Sequence, residues 1–397
     1  MMLSQKAMEI SPSLTLAISA KAKKMKSEGL DVIGFGVGEP DFETPKYIKD
    51  AGIKAIEAGY TRYTPASGTI ELKQAIVEKL KVDNGLTYKT SQIVVSNGAK
   101  QSLDNAFKAI LNPGDEVIVG SPYWVSYPEL IKLSDGVPVV VEAKEGDGFK
   151  LTIEELEKVV TEKTKAIVLN SPSNPTGAIY NKNELEKIAE FAQKHDIIII
   201  SDEIYEKLIY GEMIHTSIAS ISEDAYNRTI VINGVSKAYA MTGWRIGYAA
   251  ASEQIASLMS NVQSHTTSNP CSISQYASVE ALMGDQTPVV NMNKEFEKRR
   301  NFMVERVNTI DNLSCVKPDG AFYVMVNISK AIGKEVDGKV IENSLVFSDL
   351  LLEREKVAVV PGVAFGADEF IRLSYATSIE NIKNGLNRIE KFVGDLK

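Results

Sequence analysis

The fold class this sequence predicts is α/β: a mostly parallel seven-stranded sheet sandwiched by helices, with a smaller α+β domain. Three observations carry that expectation. The chain has 397 residues, enough for two domains and a large core. From about residue 90 to residue 250, short apolar runs alternate with helical stretches, and the runs are continuous, as in strands buried on both faces. Beyond about residue 290 the pattern gives way to a long charged helix and a few strands.

Taken in order, residues 11–28 read as a helix with Leu14, Ile18 and Met25 near one face. Ile33-Gly-Phe-Gly-Val-Gly-Glu-Pro-Asp41 follows, its glycines letting backbone pass close to another group and Pro40 ending regular structure. After a turn-rich stretch, Tyr60 to Gly68, comes a helix with Leu72, Ile76 and Leu80 spaced by four. The seven strand candidates are Ile93–Ser96, Val117–Gly120, Pro138–Val141, Ala166–Asn170, Ile197–Ser201, Thr229–Asn233 and Ile246–Ala250. Right-handed crossovers between parallel strands bring the loops that follow them to one edge, where open α/β sheets bind ligands. Further on, a helix is expected from Asn291 to about Thr309, then a strand in Ala321–Asn327 and a helix near 343–354. Strands at Val357–Val360 and Phe370–Tyr375 and a helix from Ile379 to Val393 close the chain. The expected division is a large domain over 45–288 and a small domain made of 1–44 plus 289–397.

Composition excludes several function classes. A net charge of −8 argues against nucleic acid or an anionic membrane as partner, though a basic pocket can still exist. Two cysteines without a C-x-x-C pair imply neither a disulfide framework nor a zinc site, and suit a reducing cytoplasm. The three scattered histidines make a histidine metal site improbable, so no metal is expected. The first residues lack a signal-peptide pattern, and no apolar run approaches the roughly 18 residues of a membrane span.

The chemistry gathers where the runs end. Thr229–Asn233 stops at Gly234, Lys237 follows, and Arg245 lies eight residues on. A single lysine is ordinarily a solvated surface charge. At the end of a buried strand, however, its amine can bond an aldehyde cofactor while the arginine grips that cofactor's phosphate. Gly98 and Ala99 open a helix and leave room for a phosphate at its free N–H groups, although a plain strand-to-helix turn would look the same. Lys100 in that first turn opposes the helix dipole, at roughly 0.3–1 kcal/mol, so a negative group, ligand or side chain, is expected nearby. Trp124 could stack on a flat ring or simply fill the core. Asn174, in the turn Asn170 to Gly177, could donate to a ring oxygen. Ser121–Pro122 and Asn174–Pro175 are the candidate cis bonds. Asp202 is costly to bury unless paired, and a pyridine nitrogen would pair it. Tyr205 could bind the ring hydroxyl. Arg372, on the opposite face from Ile371, Leu373 and Tyr375, could grip a carboxylate or form a surface ion pair.

The string Ser236-Lys237-x-x-x-Met241-Thr-Gly-Trp-Arg245 closely resembles the cofactor-lysine signature of class I pyridoxal-phosphate (PLP) aminotransferases, which have PLP-dependent transferase fold type I. Gly38-Glu-Pro-Asp-Phe42, Ser121-Pro-Tyr-Trp124, Asn174-Pro-Thr-Gly177, Ser201-Asp-Glu-Ile-Tyr205, Gly320-Ala-Phe-Tyr323 and Arg372-Leu-Ser-Tyr-Ala376 complete the resemblance, in order, along the whole chain. In detail it is similar to bacterial aspartate aminotransferases that meet the distal carboxylate with a lysine and a threonine. The resemblance implies that Lys237 carries PLP and moves the proton, with Asp202 on the ring nitrogen, Tyr205 and Asn174 on the ring oxygen and Trp124 stacked on the ring. Gly98, Ala99, Ser236 and Arg245 would bind the phosphate, with Tyr63 reaching in from a second subunit of a homodimer. Gly38 and Arg372 would hold the α-carboxylate, with Trp124 and Asn174 also meeting substrate, and Lys100 and Thr15 the distal carboxylate. The implied reaction moves an amino group reversibly from L-aspartate to 2-oxoglutarate, so the partners are small amino and 2-oxo acids. Prephenate, aromatic amino acids or alanine are alternative substrates, and a PLP-dependent C–S lyase or a transcriptional regulator's sensing domain are alternative readings. Many relatives have serine where this chain has Gly234, which removes one phosphate hydroxyl.

Overall fold

A computed structural model describes residues 3–397. Seven strands form the large sheet: β1 (Ile93–Ser96), β2 (Glu116–Ser121), β3 (Val137–Glu142), β4 (Thr164–Asn170), β5 (Ile198–Asp202), β6 (Thr229–Gly234) and β7 (Gly247–Ala250). Their spatial order is β1-β7-β6-β5-β4-β2-β3, and every pairing is parallel except those of β7 with β1 and β6. The expected fold class is therefore present, with one antiparallel strand inside an otherwise parallel sheet. β1 and β6 are buried at every position because branched aliphatic side chains meet helices on both faces. β3 differs from the expectation of burial on both faces. It is one of the two edge strands, with β1 at the other edge, and Val137 and Val140 stay about half exposed.

Parallel pairing sets the chemistry along one edge. Asn170 and Asp202, the last residues of β4 and β5, are direct partners, as are Gly234 and Gly247 at the β6–β7 end and Ser96 and Gly247 at the β1–β7 end. Ser96, Asn170, Asp202 and Gly234 thus end four strands on one side of the sheet.

A second sheet is fully antiparallel, in the order Val360–Pro361, Phe370–Ser374, Tyr323–Asn327, Ser314–Cys315. The apolar run 357–360 is two short strands rather than one. Val357–Ala358 pairs with Ile33–Gly34 while Val360–Pro361 pairs with the strand carrying Arg372, so the run changes partner at Val359. The helices Thr287–Val307, Ser344–Glu355 and Ile379–Gly394 pack on this unit. Phe35, fully buried, shares a core with Phe296, Phe347 and Phe392, which ties the beginning of the chain to its end.

The expected cis bonds Ser121–Pro122 and Asn174–Pro175 are cis, and so is Ser171–Pro172. The helix expected over 11–28 spans Leu14–Ser27, capped by the Ser13 side chain. The helix expected to open at Gly98 and Ala99 spans Ala99–Ile110, with Gly98 as N-cap. No helix among the described residues is long and apolar enough to cross a membrane.

Candidate active site

The loops that leave β1, β4, β5 and β6 meet the helix Leu14–Ser27 and the strand of Arg372 around a cavity of about 460 Å³. Thr15, Gly38, Ala99, Lys100, Trp124, Asn174, Asp202, Tyr205, Ser236, Lys237, Arg245 and Arg372 all line it. Five cations (Lys23, Lys100, Lys237, Arg245, Arg372) face two carboxylates (Glu39, Asp202) across this space. A chain of net charge −8 has therefore concentrated positive charge in one cavity, which fits a ligand carrying several anionic groups.

Lys237 stands just past β6, half buried, and its Nζ donates to the Gly38 carbonyl at 2.5 Å. Nζ also lies 5.8 Å from the Tyr205 ring centre and 5.9 Å from that of Phe322. Burial lowers the amine's pKa to about 8, with Arg245 and Arg372 adding to the effect and Glu39 and Asp202 opposing it. A lysine so placed is neutral often enough near pH 8 to act as nucleophile and base.

Asp202 is 4 % exposed. Its Oδ2 accepts from the Tyr127 hydroxyl at 2.7 Å and Oδ1 from the Ile204 N–H at 3.3 Å. Burial pushes its carboxyl up to about 6 despite those two bonds. A buried carboxylate at this position gains from a cationic partner, and a protonated pyridine ring would be one. The Tyr205 hydroxyl lies 2.9 Å from that of Tyr323, and the Asn174 N–H is fixed at 2.7 Å on Asn170 Oδ1.

One end of the cavity offers groups that can hold a phosphate. Arg245 adopts a left-handed backbone (φ 58°), uncommon for a residue with a side chain, and its guanidinium donates to Thr242 O at 2.9 Å and Asn97 O at 3.2 Å. It crosses directly over Gly98, where a Cβ would lie 2.3 Å from Nη2. The N–H groups opening the helix Ala99–Ile110 and the Ser236 side chain share this end. Gly234 also has a local reason. A Cβ there would come within 2.9 Å of both the Ile246 carbonyl and Gly247 Cα, so a serine would require these backbones to move apart.

The other end suits a carboxylate. Arg372 is 3 % exposed and packs 4.3 Å from the Tyr323 ring centre. It donates to Asn174 Oδ1 at 2.9 Å and to Gly36 O at 3.0 Å, while its Nε, fully buried, has no hydrogen-bond partner. The reading of Arg372 as a surface ion pair is thereby overturned, because the sheet buries it. Lys100 Nζ sits 5.0 Å over the Trp124 ring, and burial together with the Arg245 charge lowers its pKa. Thr15, in the first turn of its helix, exchanges a 2.8 Å hydrogen bond with the Ser13 hydroxyl.

Two expected residues stand apart from the cavity lining. Gly98 lies behind Arg245, and Tyr63 is 92 % exposed. Sequence reasoning missed Tyr127, which had no motif to mark it. Tyr323 stands in the motif Gly320-Ala-Phe-Tyr323, which by itself points to no role for its hydroxyl. Sequence reasoning also missed a buried group of Glu203, Glu206 and His215 close enough to hold a metal ion. There Lys79 pairs with Glu206, and His215 contacts Glu203 at 3.0 Å, so protein cations already balance the carboxylates.

The donor set fits PLP: an amine for the aldehyde, a buried carboxylate for the ring nitrogen, and an arginine over a helix start for the phosphate. Comparison with known proteins agrees. The family model "Aminotransferase class I and II" matches residues 30–389. The chain is 51 % identical over 392 residues to an aspartate aminotransferase of Bacillus sp. (strain YM-2), covering 99 % of both chains. It is 48 % identical over 396 residues to a probable aspartate/prephenate aminotransferase of Aquifex aeolicus, again covering 99 % of both. The crystal structure of the aspartate aminotransferase from Rhizobium meliloti superposes with a TM-score of 0.97 at 44 % identity, covering 100 % of both chains. On this fold, this cavity and these relatives, the chain belongs to the class I and II aminotransferases.

Proposed function

We propose that this protein is a PLP-dependent aspartate aminotransferase, which moves the amino group of L-aspartate to 2-oxoglutarate and gives oxaloacetate and L-glutamate. The observation that carries this reading is the excess of cations in the cavity. Arg245 at one end, Arg372 at another and Lys100 over the Trp124 ring answer one phosphate and two carboxylates. The names of the relatives from Bacillus sp. and Rhizobium meliloti support the same substrate.

Each residue then has a task. Arg245, Ser236, Gly98 and the N–H of Ala99 hold the phosphate, with Tyr63 of a second subunit completing it. Asp202 holds the ring nitrogen protonated, Tyr205 and Asn174 donate to the ring oxygen, and Trp124 covers the ring. When bound, PLP supplies an aldehyde to receive the amino group and a cationic ring to withdraw electrons from the substrate's α-carbon. Arg372 and Gly38 fix the α-carboxylate, and Lys100 with Thr15 the distal one, as in the lysine/threonine subgroup. Lys237 Nζ, its pKa lowered by burial, would take the substrate's α-proton as general base and later return it. Residues 45–288 act as the large cofactor domain and 1–44 with 289–397 as the small one, a division supported by the pairing of Ile33–Gly34 with Val357–Ala358. The working protein is a cytoplasmic homodimer.

The test uses PLP-loaded protein and L-aspartate without a keto acid. We expect at most one oxaloacetate per subunit, with a change in the cofactor's absorption that 2-oxoglutarate reverses while L-glutamate appears. Continuous pyruvate release from a sulfur amino acid, with no response to aspartate, would refute the reading in favour of a lyase. The name of the Aquifex aeolicus relative favours prephenate as a second acceptor, which competition against 2-oxoglutarate would measure.

A further inference from the structure

Among the described residues the Asp202 carboxylate accepts only two hydrogen bonds, and they are unequal. The Ile204 N–H reaches Oδ1 at 3.3 Å, long for such a bond, whereas the Tyr127 hydroxyl reaches Oδ2 at 2.7 Å. Tyr127 is 2 % exposed, lies in the helix Ser126–Leu133 one turn after Trp124, and meets the Trp124 ring edge-on at 5.3 Å and 80°. It lines the same cavity as Lys237 and Arg372. Burial and the Asp202 charge raise the phenol's pKa well above its ordinary value, so this hydroxyl is a permanent donor. Besides Tyr127 and the Ile204 N–H, the charged groups acting on Asp202 are Glu203 next to it, which opposes its charge, and Lys237, which favours it. Once Lys237 is engaged with a cofactor, Tyr127 becomes the main protein group that stabilises the carboxylate.

We propose that Tyr127 is the positioning residue for Asp202: its hydroxyl fixes Oδ2 so that the carboxylate serves as the charged partner of the cofactor's ring nitrogen. This rests on the PLP reading above. The ring keeps its proton only while Asp202 stays ionised and correctly turned. Removing the donor leaves a buried carboxylate short of its better hydrogen bond, and the proton then moves from the ring nitrogen to Asp202. The balance is simple: one N–H bond breaks, one O–H bond forms, and both charges vanish together. Trp124 packs on the same phenol ring, so a phenylalanine at 127 would keep that support and delete only the donor.

The experiment loads the full-length protein with PLP labelled with ¹⁵N in the ring and reads the nitrogen shift. Parent protein should give the shift of a protonated pyridine. Tyr127→Phe should move it towards the unprotonated value and lower kcat by about 10- to 100-fold, the range for losing a hydrogen bond to a charged group, with KM for aspartate changed far less. Asp202→Asn should give the unprotonated shift, and adding Tyr127→Phe to it should change neither shift nor kcat further. If Tyr127→Phe keeps the protonated shift while kcat falls, or if its loss adds to that of Asp202→Asn, the hydroxyl acts on something other than Asp202 and the proposal is wrong. Should Tyr127→Phe fail to fold, Asp202→Asn is expected to restore folding by removing the stranded charge, and failure to do so would also overturn it. A parent protein that binds no labelled PLP at all would overturn this proposal together with the PLP reading, an outcome distinct from the others.

Discussion

Gly98→Ala separates holding the fold from holding the phosphate. Gly98 has φ 84° and ψ 161°, a region essentially restricted to glycine, so any side chain there costs about 1–3 kcal/mol of stability. The added Cβ would also lie 2.3 Å from Arg245 Nη2, 2.8 Å from Cζ and 3.2 Å from Nη1. Ordinary contact needs about 3.5 Å, so the guanidinium must retreat by more than about 1 Å. That retreat is easy for the fold, because the colliding atoms are the free end of a flexible side chain. It is costly for a phosphate, because it breaks the paired contact that Arg245 would make. A charge-assisted bond contributes about 1.5–3 kcal/mol, so PLP should bind about 10- to 150-fold more weakly. The assay is titration of apoprotein with PLP, followed by absorbance, beside denaturant unfolding of the same apoprotein. Turnover should recover as PLP is raised to saturation. Arg245→Leu should show the same loss of affinity, and the double variant little more. If Gly98→Ala bound PLP as tightly as the parent, Arg245 would not be the phosphate's anchor.

Three further outcomes follow from the same geometry. In apoprotein the Lys237 amine, at about 8, is protonated below that pH and neutral above it, so its acylation rate should climb through pH 8 and level off. Arg372→Leu removes a neighbouring cation and should move that midpoint upward; a midpoint near the ordinary lysine value in the parent would refute the burial argument. Arg372→Lys keeps the charge but loses the planar fork, so kcat/KM should fall about 10- to 100-fold for every amino acid, mostly through KM, with PLP affinity unchanged. Equal PLP and substrate losses would place Arg372 elsewhere in the mechanism. Lys100→Ala should lower kcat/KM for aspartate about 10- to 100-fold while leaving alanine and phenylalanine nearly unaffected. An equal loss on all three would remove Lys100 from the distal carboxylate.

Composition and pattern determined the layered α/β fold and placed all seven strands of the large sheet, because continuous runs such as Thr229–Ile–Val–Ile–Asn233 are the local consequence of burial on two faces. Motif spacing also fixed Lys237 and Arg245 relative to each other, since both belong to one short segment. What the sequence could not determine depends on partners distant along the chain. The edge position of β3, the antiparallel β7 and the split of 357–360 between two sheets follow from which strand lies beside which, and no local periodicity encodes that. Arg372 read alone favours a surface ion pair over a ligand clamp; only the pairing of its strand with Tyr323–Asn327 and Val360–Pro361 buries it and leaves Nε without a partner. Tyr127 carried no signal, because its value lies in one hydroxyl meeting a carboxylate 75 residues away. The sequence thus determined the chemical groups and the strands that carry them. The tertiary structure decided which groups face one another and how far each is removed from water, and those two quantities set a buried group's charge and reactivity.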